Sequence, residues 1–178
     1  SRYRSYVESQ LKTSGISGEK AGVQSGHVLA IELQLAAVSG NSPSQVLGLK
    51  DANKQYANLF FSDFLRAQKA SGDKITLAQP VFFKTLNGLM NPKMIEHWKS
   101  YLRFHVINQL APYLNEAYFS AHSQFYEVYL AGNANPDSRK QKLRDLIEAS
   151  APELVDAAYA ERYIAASHRE RARAVSNA

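Results

Sequence analysis

ITLAQPVFFKTLNGLMNPKMIEHWKSYLRFHVINQLAPYLNEAYFSAHSQFYEVYLAG, residues 75–132, is the stretch that decides the fold of this chain. Its apolar residues recur every three to four positions, which is the spacing of one face of an α-helix. Pro92 suits a helix's first turn, whereas Pro112 predicts a kink or a split into two helices. Ile75–Gln79 ahead of the run is the best strand candidate, and a helical turn is expected at Val81. The core positions of the long run are expected at Ile95, Trp98, Leu102, Val106, Leu110, Leu114, Tyr118, His122, Phe125 and Tyr129.

The rest of the chain predicts further helices on the same spacing and on capping residues. Ser17 and Ser138 are expected to cap helix N-termini, and Gly15 and Gly132 to follow helix C-termini. The helices are expected from Tyr3 to Thr13, from Ser17 to Ser39, from Pro43 or Ser44 after the turn at Asn41, from Asp51 to about Lys69, from Ser138 to Ile147, and from Pro152 to the C-terminus. These patterns predict an all-α, irregular multi-helix domain with at least six helices and at most one short β element.

Four small residues, Gly18, Gly22, Gly26 and Ala30, recur at every fourth position of the second helix. Glycine inside a helix costs about 1 kcal/mol relative to alanine, so we expect a neighbouring helix to press closely on this face. A phosphate-binding loop is disfavoured, because the G-x-x-x-x-G-K-[ST] spacing and a preceding strand are both missing.

Length and composition bound the class of protein. The 178 residues, 45% of them hydrophobic, are enough for one globular domain with its own core. We therefore expect one soluble domain over residues 1–178, and the absence of an initiator methionine or an apolar leader favours a fragment of a larger protein. The chain has no cysteine and a net charge of +5, which leaves the compartment open and makes a weak case for nucleic acid.

Five histidines, His27, His97, His105, His122 and His168, are the first candidates for metal ligands. Two histidines on one helix bind one zinc ion at the i, i+4 spacing, and no pair here has it. His97 and His105 share a face but lie about 12 Å apart along a helix. We interpret all five as hydrogen-bonded structural or surface residues.

Glu32 is a carboxylate within an apolar stretch and is therefore a candidate general acid or base. No second carboxylate or histidine stands at a spacing that would pair with it. We therefore interpret Glu32 as a helix residue that bonds an arginine or tyrosine, or that faces solvent.

Two basic clusters, residues 139–144 and Arg162 to Arg173, remain as candidate nucleic-acid contacts. Acidic residues are interleaved with both, as on a solvated helix face with i, i+3 and i, i+4 pairs. The clusters predict surface helices, and no nucleic-acid partner is expected.

A series of short motifs runs in order along the chain: YRSYVESQLKTSGIS at 3–17, AIELQLA at 30–36, FSDFL at 61–65, QPVFF at 79–83, WKSYLRFHVI at 98–107 and APYL at 111–114. Together they resemble the neprilysin family of zinc endopeptidases. Leu130 to Gly132 and Arg139 match a further element of that family, and Tyr159 and Arg169 match in part. The resemblance weakens after about Pro136.

The family's zinc motif, H-E-x-x-H, and its E-x-x-x-D segment have no match in this chain. The resemblance therefore implies a non-catalytic, helical N-terminal domain that covers the catalytic domain of the same polypeptide and restricts substrates to peptides. No catalytic, cofactor-binding or metal-binding residue is predicted here, and zinc is expected in the catalytic domain. By itself the chain is expected to be inactive, and the family implies a periplasmic or extracellular location.

Two readings of another class stay open beside the peptidase lid. One is a free-standing helical module that binds a partner helix or peptide through an aromatic groove. The other is a basic nucleic-acid binder, whose binding would depend steeply on salt.

Overall fold

The computed structural model describes residues 1–40 and 42–176, with the backbone alone at 169, 170, 172, 173 and 176. Asn41, expected in a turn, and the side chain of Arg169, expected at a family motif, lie outside that description. Helices make up 74% of the structure, and the predicted all-α class is confirmed.

Ten α-helices lie within the described residues, and several are joined by short 3₁₀ turns. They are α1 Arg2–Thr13, α2 Gly18–Ala36, α3 Leu49–Gln55, α4 Phe61–Ala67, α5 Pro80–Leu89, α6 Ile95–Leu110, α7 Glu116–Ser123, α8 Arg139–Ser150, α9 Pro152–Tyr163 and α10 Ala166–Ser176.

One small sheet accompanies the helices, made of β1 Gln45–Gly48 and β2 Lys74–Leu77. The strands are antiparallel, with Val46 opposite Thr76. The strand expected at Ile75 is confirmed, but the short helix expected from Pro43 or Ser44 is wrong. The residues from Gln45 pair with β2, and this ladder satisfies their backbone groups instead of helical bonds.

The chain divides into two compact units, residues 1–109 and the residues from 110 onward. Within the first unit α1 packs on α2. Phe104 of α6 is fully buried and meets the rings of Tyr3 and Tyr6 edge-on, at centroid distances of 6.1 and 6.0 Å. The core of this helix group consists of Tyr6, Val7, Leu11, Ala21, Val28, Ile31 and Phe104.

The close helix contact expected along the glycines of α2 is wrong. A Cβ built on Gly26 would meet nothing within 4 Å, and one on Gly22 would meet only the carboxylate of Glu8 at 4.0 Å. The buried face of α2 instead runs through Ala21, Ser25 and Val28. Side chains of α1 cover part of the glycine face, and the rest is open.

The single helix expected from Asp51 to Lys69 is broken. Tyr56 is buried as expected, but Phe60 adopts a left-handed conformation (φ +50°) between α3 and α4. The break turns α4, so Phe60 and Phe64, expected on the inner side, are exposed. Backbone reversals of this kind in a non-glycine residue leave no mark on the hydrophobic spacing.

In the second unit, Pro112 lies in a 3₁₀ turn, Ala111–Tyr113, that separates α6 from α7. The predicted split is confirmed. The chain then continues from α7 as a π-helical segment, Gln124–Leu130, and Gly132 follows with a positive φ of +67°.

Ser138 caps α8 by accepting a hydrogen bond from the Gln141 N–H, as predicted. The last helix expected from Pro152 is interrupted, since α9 ends before Ile164, which is extended, and α10 begins at Ala166.

Candidate functional site

Glu32 lies at the centre of a polar cluster formed by α1, α2 and α6. Its Oε1 accepts a hydrogen bond from the Tyr3 hydroxyl at 2.7 Å and lies 3.1 Å from Nε2 of His105. Since a carboxylate only accepts hydrogen bonds, Nε2 of His105 carries a proton in this contact. The expectation that no histidine pairs with Glu32 is therefore wrong, whereas its predicted tyrosine partner is confirmed.

Tyr101 completes this cluster, with its ring 4.1 Å from that of His105. Burial, and then the negative charge of Glu32, raise the pKa of Tyr101 above its usual value of 10.0. The hydroxyl therefore stays protonated at neutral pH. Tyr3, Glu32, Tyr101 and His105 are called the Glu32 cluster below.

A carboxylate bonded to a histidine is also the arrangement of a general acid–base pair. Here Nε2 of His105 is already hydrogen-bonded to Oε1 of Glu32. The same oxygen also accepts a hydrogen bond from the Tyr3 hydroxyl. In this structure the arrangement joins α1, α2 and α6 through the two contacts of Glu32 Oε1.

A second histidine contact joins α2 to the start of α6. The rings of His27 and His97 are stacked, with centroids 4.1 Å apart and planes inclined by 30°. Nδ1 of His27 lies 3.2 Å from Ser100 Oγ, and Ser100 Oγ donates to the Glu96 carbonyl at 2.8 Å.

A cleft of about 270 Å³ opens beside His27. Its lining mixes two carboxylates, one ammonium and one imidazole, so it selects no single sign of charge. The lining residues are Glu19, Lys20, Val23, Gln24, His27, Glu96 and Ser100.

The other two histidines, His122 and His168, belong to the second unit. The ring of His122 on α7 packs against that of Tyr126, with centroids 4.7 Å apart. Burial lowers the pKa of His122 below 6.5; the smaller effect of Glu127 raises it, and that of Lys142 lowers it. His168 lies on α10 and is exposed. The structure brings together His27 with His97 and Glu32 with His105.

The family resemblance implies zinc, which needs converging side chains as ligands. Within residues 1–40 and 42–176, no three histidine, cysteine, aspartate or glutamate side chains converge as a metal site requires. The prediction that the chain holds no catalytic or metal-binding residue stays a prediction. Among the same residues, no helix is both long enough and apolar enough to cross a membrane.

The basic cluster at residues 139–144 of α8 makes hydrogen bonds and ion pairs within the second unit. Arg139 donates through Nε to the Leu114 carbonyl, and Nζ of Lys142 lies 3.2 Å from carboxylate oxygens of both Glu127 and Asp137. Residues in that cluster thus hold α8 to the chain around α7.

The pairing of Glu32 with His105 and the place of Tyr101 beside it were missed by sequence reasoning, which expected a tyrosine or arginine partner for Glu32 but did not identify Tyr3. Glu32 and His105 are separated by 73 positions, and helical spacing reports only neighbours within one helix. The signal that could have found them is that Tyr3, Glu32 and His105 lie inside three of the matching motifs.

Comparison with known proteins adds the family. A family model described as peptidase family M13 matches residues 1–177. The curated proteins compared gave no match.

Two solved structures of the zinc metalloprotease Zmp1 from Mycobacterium tuberculosis share the fold. The cryo-EM structure of its open state has 17% identity and a TM-score of 0.71, covering 98% of this chain and 29% of that one. The crystal structure with an inhibitor has 18% identity and a TM-score of 0.72, covering 95% of this chain and 28% of that one. This chain therefore spans less than a third of the length of the structures it matches.

Proposed function

This chain belongs to peptidase family M13, and we propose that it serves there as the non-catalytic helical lid of a zinc-dependent metalloendopeptidase. The neprilysin-like resemblance is thereby confirmed at the level of the family, and the chain corresponds to its N-terminal helical part. The match over residues 1–177 is the observation that carries the proposal.

The lid is proposed to help enclose the active-site cavity and to restrict substrates by size. A closed chamber admits flexible peptides, excludes folded proteins, and removes water from the reaction. Zinc and the groups that act on the peptide bond are assigned to the catalytic domain of the same polypeptide, because the described residues offer no ligand set. A periplasmic or extracellular location belongs to this proposal.

The surface of α6 supports a role inside a larger protein. Leu102 and Val106, expected in the core, are each 58% exposed, and Ile95 and Leu110 are exposed as well. Apolar residues at this spacing form a stripe along one side of the helix. Such a stripe suits coverage by the remaining part of the parent polypeptide.

The enclosing role is tested in the parent enzyme with one peptide sequence presented in two ways. The free peptide should be cleaved, whereas the same sequence built into a loop of a small folded protein should survive. If the free peptide and the loop were cleaved equally fast while the carrier protein stayed folded, the proposed size restriction by the lid would be contradicted.

The inactive-fragment part needs a separate experiment on residues 1–178. After dialysis against zinc, metal analysis is expected to find no stoichiometric ion, and peptide hydrolysis should be absent. One bound zinc per chain, or cleavage that a chelator stops, would overturn this part. Recovery of a defined foreign partner by the isolated chain would favour the free-standing interaction module instead.

A further inference from the structure

Helices α2 and α6 meet through two histidine contacts with opposite chemistry. At one contact, His27 of α2 stacks on His97 of α6 at 4.1 Å. At the other, Glu32 of α2 lies 3.1 Å from Nε2 of His105 on α6. A proton added to the first contact creates a cation beside a second ionisable ring, whereas a proton on His105 creates a cation beside a carboxylate.

The hydrogen bonds of Ser100 define the proton positions in the first contact. Ser100 Oγ has one proton and donates it to the Glu96 carbonyl at 2.8 Å. Toward His27 it can therefore only accept, so Nδ1 of His27 carries the proton of the neutral ring. Acid adds the second proton at Nε2 of His27.

His97 has an unsatisfied polar atom within the stack. Its Nδ1 is buried and has no hydrogen-bond partner in the part of the chain that the structure describes. A buried polar atom without a partner costs free energy, so opening the stack relieves that cost by giving Nδ1 access to water.

Charged groups around the stack do not remove this conflict. Burial, and then the charge of His97, lower the pKa of His27 below 6.5, while Glu96 acts in the opposite direction. Glu96 is itself paired with Lys99 at 2.7 Å. Lys84, the charged residue of α5, is exposed. The other charged groups on the packed elements are Glu19, Lys20 and Glu32 of α2, Arg103 of α6, and Arg2, Arg4, Glu8 and Lys12 of α1.

We propose that these contacts form a pH-sensitive joint between α2 and α6, in which acid opens the His27–His97 stack and leaves the Glu32–His105 contact closed. Opening exposes both imidazoles more fully to water and removes the cost that burial adds to the charged form of His27. The retained contact joins the Glu32 carboxylate to Nε2 of His105 and contains no second imidazole. Acid therefore loosens α2 at His27 without detaching it from α6 at Glu32.

The sign of the pH dependence follows from the lowered pKa of His27. A histidine that binds its proton less readily in the folded state contributes stability above its unfolded pKa of about 6.5. That stability falls as the pH drops from 6.5 through the lower folded pKa. The stack is therefore complete at pH 7.5 and weakened near pH 5.

Hydrogen exchange and NMR titration of the histidine rings test the joint in the unaltered protein. Amide protection around His27, corrected for the intrinsic pH effect, should fall from pH 7.5 to pH 5. Protection around Glu32 and His105 should not fall. Equal changes at both contacts, or no change at either, would overturn the proposal.

A matched pair of variants separates the stack from general acid effects. His97→Phe keeps an aromatic ring but cannot be protonated, so the pKa of His27 should rise and the acid loss of protection should shrink. His168→Gln removes an exposed histidine of α10 and should behave like the unaltered protein. A His97→Phe variant with an unchanged His27 titration would contradict the joint, even if its overall stability differed.

Discussion

Residues 1–109 and the residues from 110 onward are stabilised in different ways. Of the buried apolar side chains in the described residues, all but Ala111, Phe119 and Phe125 lie in the first unit. Helices α8 and α9 of the second unit contain no buried residue. The contrast teaches that a regular helical pattern can accompany either an apolar core or a set of polar contacts.

The largest expected difference between the units concerns two leucines. Leu11 of α1 is fully buried, whereas Leu154 of α9 is 72% exposed. Leu11→Ala should lower the free energy of unfolding by about 2–5 kcal/mol, because it leaves a cavity. Leu154→Ala should change it by less than about 0.5 kcal/mol. Denaturant unfolding followed by circular dichroism measures both, and similar costs would remove the contrast.

A smaller effect is expected at Lys142, whose side chain is 28% exposed and lies between Glu127 and Asp137. Burial lowers the pKa of Lys142, but hydrogen bonds to Asp137 and Glu127 outweigh it and raise the pKa above 10.5. The resulting stability is fully present below pH 10.5 and is lost as the pH rises through the folded pKa.

Lys142→Met should therefore destabilise α8 by about 1 kcal/mol at neutral pH, and by less in strong alkali. Hydrogen exchange of the α8 amides measures the change. Lys140→Met, at an exposed position of the same helix, is the control. If both variants had the same effect, the contacts of Lys142 would not hold the second unit.

The smallest expected effect is a gain in the first unit. Gly26 is helical and faces open space, so Gly26→Ala should stabilise the protein by about 0.5–1 kcal/mol. Gly15 has a φ of +90°, and alanine there should be destabilising. The melting temperatures of both variants measure this, and a loss at Gly26 would indicate close packing on α2 after all.

Helices were largely predictable because their signals are local. Pro92, Pro112, Ser138 and Gly132 mark boundaries that the structure confirms, since capping and ring constraints act within one turn. The breaks at Phe60 and Ile164 were missed, because the apolar spacing continues through them.

Long-range features were not predictable from spacing. The pairing of β1 with β2 and of Glu32 with His105 depends on how distant segments meet. Leu102 and Val106 match the core pattern of α6 and yet are exposed. Periodicity identifies an apolar side of a helix, but it does not say which part of the protein covers that side.

The π-helical segment Gln124–Leu130 has a consequence for chain length. The Ala131 N–H reaches back to the Tyr126 carbonyl, five residues earlier, at 3.1 Å. The helical turn closed by an i to i−5 hydrogen bond contains one residue more than the turn closed by an α-helical i to i−4 bond. Deleting one residue here can therefore restore an ordinary α-helix, and related chains one residue shorter at this point are expected to retain α7.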